Sequence, residues 1–289
     1  MPLPLIWLDG RLLPLAEARI SPLDRGFLFG DAVYEVLPVY EGRAYRLDAH
    51  LERLNRSLDE IRMPQVMDRA GWLAAFGALV HANGGGDLLL YVQVTRGVEP
   101  ERNHVPRPGT RPTVLAMVSP LPVIPASVIE CGVSAITAAD SRWARCDIKA
   151  TSLLANVLLR WQAADAGTTE AILLRDGWLT EGSTSSVHVV RSGRLLTPPQ
   201  THAILPGTTR GVLFDLAARD GLESERRPVT ESELRGAEEI IIASAGGGIR
   251  AVTKLDGATV GSGRPGPLFQ RLYAGFLATK TGFSAELPA

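Results

Sequence analysis

Two rhythms of apolar residues alternate along the chain, short runs closed by turn residues and longer stretches with an apolar residue every third or fourth position. Together they predict a mixed α/β protein. Leu5 to Leu8 and Val33 to Tyr40 are strand-length runs stopped by Asp9-Gly10 and Glu41-Gly42, so hairpins are expected there. From Leu47, the residues Leu51, Leu54, Leu58 and Ile61 form a helical stripe that Met63-Pro64 ends. A second helix is expected over Asp68 to Ala82, with strands following over Leu88 to Thr95 and Thr113 to Ser119.

Pro120, Pro122 and Pro125 then fall within six residues, which excludes a helix and makes a stiff connection. The expected organisation is an N-terminal α/β domain over 1–120, a link over 121–126 and a C-terminal domain over 127–289. Within the second domain the pattern predicts a strand near Val128 to Thr137, a helix near Ser152 to Ala166, and strands at Ala171 to Arg175 and Ser186 to Val190. A helix from Thr208 to about Asp220, a buried strand at Glu239 to Ser244 and a C-terminal helix near Leu268 to Thr279 complete it.

Composition narrows the function. Thirty basic residues against 31 acidic ones leave a net charge of −1, which excludes a generally basic nucleic-acid or anionic-membrane binder. No apolar stretch reaches the roughly 18 to 20 residues of a spanning helix. The two cysteines, Cys131 and Cys146, and an opening segment without a basic and apolar leader point to a cytoplasmic protein with free thiols. Small molecules or further copies of the chain are the expected partners, and no metal ligand set is expected.

Only three of the 30 basic residues are lysine: Lys149, Lys254 and Lys280. Lysine amine chemistry therefore has three candidate side chains. Lys149, in Cys146-Asp147-Ile148-Lys149-Ala150-Thr151, is the one set among candidate core segments, where desolvation frees an amine for attack on a carbonyl. Leu179 to Ser186 reads either as a solvated hairpin turn or as a loop of small hydroxyl residues that admits a flat ligand, with Glu181 aimed at it. In Leu205-Pro206-Gly207-Thr208-Thr209-Arg210, Thr208 or Thr209 is a candidate N-cap, and the helix start is also a candidate phosphate site. Ser244 to Gly248 offers further amides, and Arg102 with His104 could converge on a carboxylate.

In this order the clusters resemble the fold-type IV, or class IV, PLP-dependent aminotransferases, and within them the D-amino acid aminotransferases. The resemblance begins at Asp24-Arg25-Gly26-Phe27 and Val33-Tyr34-Glu35-Val36, and runs through His50 to Leu54, Gln93 to Gly97 and Arg142 to Lys149. It ends with Thr180 to Ser183 and Leu205 to Arg210. It implies a smaller N-terminal α/β domain, a larger C-terminal domain with a pseudo-barrel, and pyridoxal 5′-phosphate (PLP) held at the domain junction as a Schiff base on Lys149. Glu181 would face the pyridine nitrogen. Arg53, Leu205, Thr208, Thr209, Ser244 and Ala245 would complete the cofactor site. Tyr34, Arg102, His104, Ser185 and Gly246 would meet the substrate, an amino or 2-oxo acid, with Arg102 and His104 reaching the neighbouring subunit of a homodimer.

The chain departs from the family pattern in Glu101 between Pro100 and Arg102, in Ser186 where asparagine is common, and in Ala245-Gly246-Gly247-Gly248 in place of a hydroxyl-rich loop. The expected reaction moves an amino group from a D-amino acid to a 2-oxo acid. The alternatives are a branched-chain L-amino acid or (R)-amine transaminase, a 4-amino-4-deoxychorismate lyase, and a catalytically silent binding protein.

Overall fold

The computed structural model describes residues 1–288, which form two compact units. The first begins with the strands β1 (Leu5–Leu8), β2 (Arg11–Pro14), β3 (Ala32–Tyr40), β4 (Arg43–Tyr45), β5 (Leu88–Thr95) and β6 (Thr113–Pro120). They pair antiparallel in the order β4-β3-β5-β6-β1-β2. Period-two alternation places Leu88, Leu90, Val92 and Val94 of β5 on the buried face.

Three helices accompany this sheet: α1 (Arg25–Phe29), α2 (Leu47–Glu60) and α3 (Arg69–Ala82). Leu51, Leu54 and Leu58 of α2 join Trp72 and Phe76 of α3 over Val33 and Leu37 of β3 in one core. Asp68 starts α3 by accepting from the Gly71 amide.

The second unit holds α4 (Ala126–Cys131), β7 (Val133–Ala139), α5 (Leu154–Asp165), β8 (Glu170–Arg175), β9 (Trp178–Gly182), β10 (Ser186–Arg191) and β11 (Arg194–Thr197). It continues through α6 (Thr208–Arg219), β12 (Ser224–Arg226), α7 (Glu231–Arg235), β13 (Glu239–Ser244), β14 (Gly248–Leu255), β15 (Ala258–Thr259) and most of α8 (Pro267–Gly282). Its sheet runs β12-β11-β10-β13-β14-β7-β8-β9, with β15 on β14. β7 lies parallel to both neighbours. β9 also contacts β10, so the sheet curls into a half-barrel. The run Ile240-Ile241-Ile242 is buried on both faces, one against the apolar core and the other towards α6.

Three local expectations are corrected. Residues 128–131, expected to open a strand, are helical: Pro125 presets the entry to α4, and Gly132, at φ 74°, ends it before β7 begins. Thr180, Glu181 and Gly182 are strand residues of β9, and Glu181 and Ser183 are buried, so Leu179 to Ser186 is not a solvated turn. The N-cap of α6 is Gly207, with no side-chain cap from Thr208 or Thr209, which already belong to the first turn.

The contact units change between Pro122 and Val123, but the second is not one contiguous stretch. Residues 148–152 and 280–288 belong to the first unit. Ile148 packs in its core, and β16 (Ser284–Glu286) pairs with β4. Segments this short carry no periodicity that a sequence pattern could register.

Candidate active site

Lys149 is placed by backbone bonds to β3 beyond the end of β4. The Tyr34 amide donates to the Lys149 carbonyl at 2.9 Å, and the Thr151 amide to Ala32 O at 3.0 Å. Ser57 of α2 accepts from the Lys149 amide at 3.2 Å. The side chain is half-buried and its Nζ stands 4.2 Å from the centre of the Tyr34 ring, which in turn stacks on Tyr91 at 5.7 Å. No hydrogen bond or ion pair holds this amine among the described residues. Lys254 is exposed on β14, and Lys280 lies over Tyr40 at 4.7 Å.

Arg53 is buried, although a purely apolar reading of α2 turns it outward. His50, Arg53 and Ser57 form a polar row beside the leucine row, three and four residues apart on one face. Glu35 of β3 receives this row: Arg53 Nε and Nη2 donate to its carboxylate at 2.7 and 2.8 Å, and His50 Nδ1 meets it at 2.7 Å. Burial raises the Glu35 pKa, but the charges of Arg53 and His50 outweigh it and hold the carboxyl well below the usual range. Desolvation lowers His50 against the pull of Glu35. Glu35 and His50 thus fix Arg53, although neither was marked as a site residue from sequence.

In the second unit, Glu181 receives Arg142 Nη1 on one carboxylate oxygen and the Leu205 amide on the other at 3.0 Å. Asp140, with a fully buried side chain, holds Arg142 through Nε and Nη2, both at 2.9 Å, and accepts from Thr180 Oγ1 at 2.9 Å. Burial pushes Glu181 up to about 6 despite Arg142. Asp140 stays below its ordinary value, because Arg142 outweighs burial there.

Ser185 does not stand free: its hydroxyl donates to Glu170 Oε2 at 2.8 Å, with Thr184 at 3.0 Å and Ser183 on the other oxygen. Glu170 is the anchor of the hydroxyl loop, and sequence alone gave it no role. Ser244 Oγ accepts from the Gly247 amide at 3.2 Å, which folds Ala245 and Gly246 into a tight turn between β13 and β14.

In the first unit, the loop bearing Arg102 and His104 is braced by buried Arg25. The Arg25 guanidinium donates to the carbonyl oxygens of Asn103 at 2.5 Å and His104 at 2.9 Å. Arg102 lies 4.8 Å over the Phe29 ring and His104 stands 5.2 Å from it. Both side chains are exposed and gather at Phe29, whereas Tyr34 pairs with Tyr91. Glu101 bonds to Arg107 at 2.6 Å, which leaves Arg102 unencumbered by it.

An amine free of hydrogen bonds, a buried carboxylate locked by arginine and an uncapped helix start are the elements of a PLP enzyme. Residues 32–255 match the family described as amino-transferase class IV. The chain belongs to that family and is a PLP-dependent aminotransferase.

Among its relatives, the D-alanine aminotransferase of Bacillus licheniformis is 43% identical over 260 residues, covering 90% of this chain and 91% of that one. The branched-chain amino acid aminotransferase of Escherichia coli shares the fold, with a TM-score of 0.92, 24% identity and 99% of each chain covered. An aminotransferase from Mycobacterium tuberculosis in its PLP-bound form matches with a TM-score of 0.80 and 28% identity, over 95% of this chain and 99% of that one.

The residues present fit the cofactor. Gly207 leaves the leading amides of the twelve-residue α6 without a side-chain cap, as a phosphate requires. Glu181 offers a fixed, buried carboxyl suited to a pyridine nitrogen.

Proposed function

We propose that this enzyme transfers the amino group of a D-amino acid such as D-alanine to a 2-oxo acid such as 2-oxoglutarate, as a homodimer in the cytoplasm. The observation that carries the reading is the loop on which Arg25 braces Arg102 and His104 side by side, a ready receptor for an α-carboxylate. The 43% identity to a D-alanine aminotransferase supports it. The branched-chain L-amino acid reading rests on neighbours such as the one at 24% identity, which speaks for the fold alone.

Bound PLP supplies an electron-accepting ring that makes the bonds at the substrate Cα labile. The chain does the rest. Lys149 Nζ carries the cofactor covalently and moves the proton to and from Cα. Glu181 holds a proton at the pyridine nitrogen, and Arg142 keeps its carboxyl in place. Arg53, the hydroxyls of Thr208 and Thr209, and the Ser244 and Ala245 turn take the phosphate, while Leu205 borders the ring. Tyr34, Arg102 and His104 orient the α-carboxylate, with Ser185 and Gly246 nearer the side chain.

In the proposed dimer the Arg102 and His104 loop serves the neighbouring copy. The dimer reading is supported by α5, where Leu154, Val157, Leu158 and Trp161 are 72, 53, 54 and 65% exposed on one helical face. The two unpaired thiols, Cys131 and Cys146, accord with a reducing compartment.

Incubating the purified holoenzyme with D-alanine and 2-oxoglutarate tests the reaction. The expected products are pyruvate and D-glutamate, resolved by chiral chromatography. Formation of L-glutamate, or of pyruvate well beyond one equivalent per active site without any acceptor, would overturn it.

A further inference from the structure

Arg250 follows the Ser244 to Gly248 turn on β14, where it stands opposite Ile242 and so shares a face with Ser244. Its guanidinium lies against the turn itself. A Cβ on Gly247 would sit 2.9 Å from Arg250 Nη2 and 2.7 Å from Ser244 Oγ, so any side chain at 247 presses on this arginine. Arg250 is half-buried, yet it makes no hydrogen bond or ion pair among the described residues, and its buried Nε has no partner there.

The anion that influences it, Glu170, is already committed to Ser183, Thr184, Ser185 and the Ala171 amide. Desolvation lowers the Arg250 pKa, the charge of Glu170 opposes this in part, and the charge of Arg160 lowers it further. A desolvated arginine with an idle fork of donors is matched chemically by a carboxylate that arrives with a ligand.

We infer that Arg250 receives the distal carboxylate of dicarboxylic donors and acceptors, the side-chain group of glutamate or aspartate and of their 2-oxo acids. The inference rests on the proposed transaminase reading, in which Arg102 and His104 take the α-carboxylate and the Ser244 to Gly246 turn borders the substrate. A second, half-buried cation beside that turn then selects for a second carboxylate. The run Gly246-Gly247-Gly248 serves the same end, because it keeps the turn bare beside the guanidinium.

The test compares the wild type with Arg250→Met, Arg250→Lys and Gly247→Ala as holoenzymes. In Arg250→Met, kcat/KM for D-glutamate is expected to fall roughly ten- to a hundredfold relative to that for D-alanine, the loss of one charge-assisted contact. Most of that loss should lie in KM. Arg250→Lys recovers part of it, and Gly247→Ala, which only displaces the guanidinium, shifts the ratio in the same direction.

Calorimetric titration with glutarate, an unreactive dicarboxylate, is expected to show the same selective weakening against butyrate. Equal losses for both donors, an unchanged ratio, or a weakened PLP affinity in Arg250→Met would each overturn the assignment. A wild type inert towards D-alanine and D-glutamate would instead count against the transaminase reading, while the glutarate titration still reports on Arg250.

Discussion

Lys149 stands out because lysine is scarce: three candidates among 30 basic residues reduce the question to which of them has a fixed backbone and an amine without hydrogen bonds. Lys149→Ala is expected to abolish the visible cofactor band and lower transamination by orders of magnitude, whereas Lys254→Ala and Lys280→Ala keep both. Borohydride reduction and peptide mapping check it, and a phosphopyridoxyl label on either other lysine would falsify the assignment. The residues that hold the site were less legible. Glu35 is 18 positions from Arg53 and Arg142 is 39 from Glu181, so each pair exists only after folding, and no local period connects them. Glu35→Gln is expected to destabilise the protein by about 3–5 kcal/mol, because it strands a buried guanidinium, and to weaken PLP binding. Melting and cofactor titration measure the two effects.

His188 is a second buried group that sequence did not mark. Neither ring nitrogen has a hydrogen-bond partner among the described residues, and burial, reinforced by the Arg210 charge, holds its pKa at about 3. That lies below the ordinary 6.5, so the unfolded chain takes the proton first as pH falls. Stability is therefore lost progressively below pH 6.5 until the folded-state value near 3 is reached, by about 1.4 kcal/mol per pH unit. His188→Phe removes this slope. Urea unfolding at pH 7, 6 and 5 is expected to show the variant gaining on the wild type below pH 6.5, and parallel curves would contradict the assignment.

Among the elements, those with long, clean periods were legible. β5 and β13 fall where the apolar runs predict them, and α2 and α3 begin within a residue of their expected starts. The short ones were not: α4 is six residues and β9 five, and both are fixed by what they pack against rather than by their own pattern. The apolar stripe of α5 is the element-scale feature that sequence showed only as a helix. Trp161→Glu places a charge on that exposed face. Sedimentation is expected to show a shift from dimer to monomer, and an unchanged mass would remove α5 from the interface.

For the whole molecule, the central question is which enantiomer reacts. In the proposed reading the bond to be broken at Cα would stand perpendicular to the ring of bound PLP, and Lys149 would take the proton from one face. With the C–H bond fixed towards that face, chirality depends on which side receives the carboxylate and which the side chain. In the proposed reading Arg102 and His104 receive the carboxylate, which would assign these positions to a D-amino acid. Glu101, the residue that departs from the family pattern, does not disturb the assignment, since it is paired with Arg107. Arg102→Ala is expected to raise the donor KM and reduce enantiomer discrimination by roughly ten- to a hundredfold.

Stopped-flow mixing of the holoenzyme with single enantiomers of alanine, glutamate and leucine, without an acceptor, tests this most directly through the loss of the visible cofactor band. The account expects D-alanine and D-glutamate to convert the band fastest and their L-forms to leave it nearly unchanged. Faster conversion by L-leucine than by any D-amino acid would contradict it.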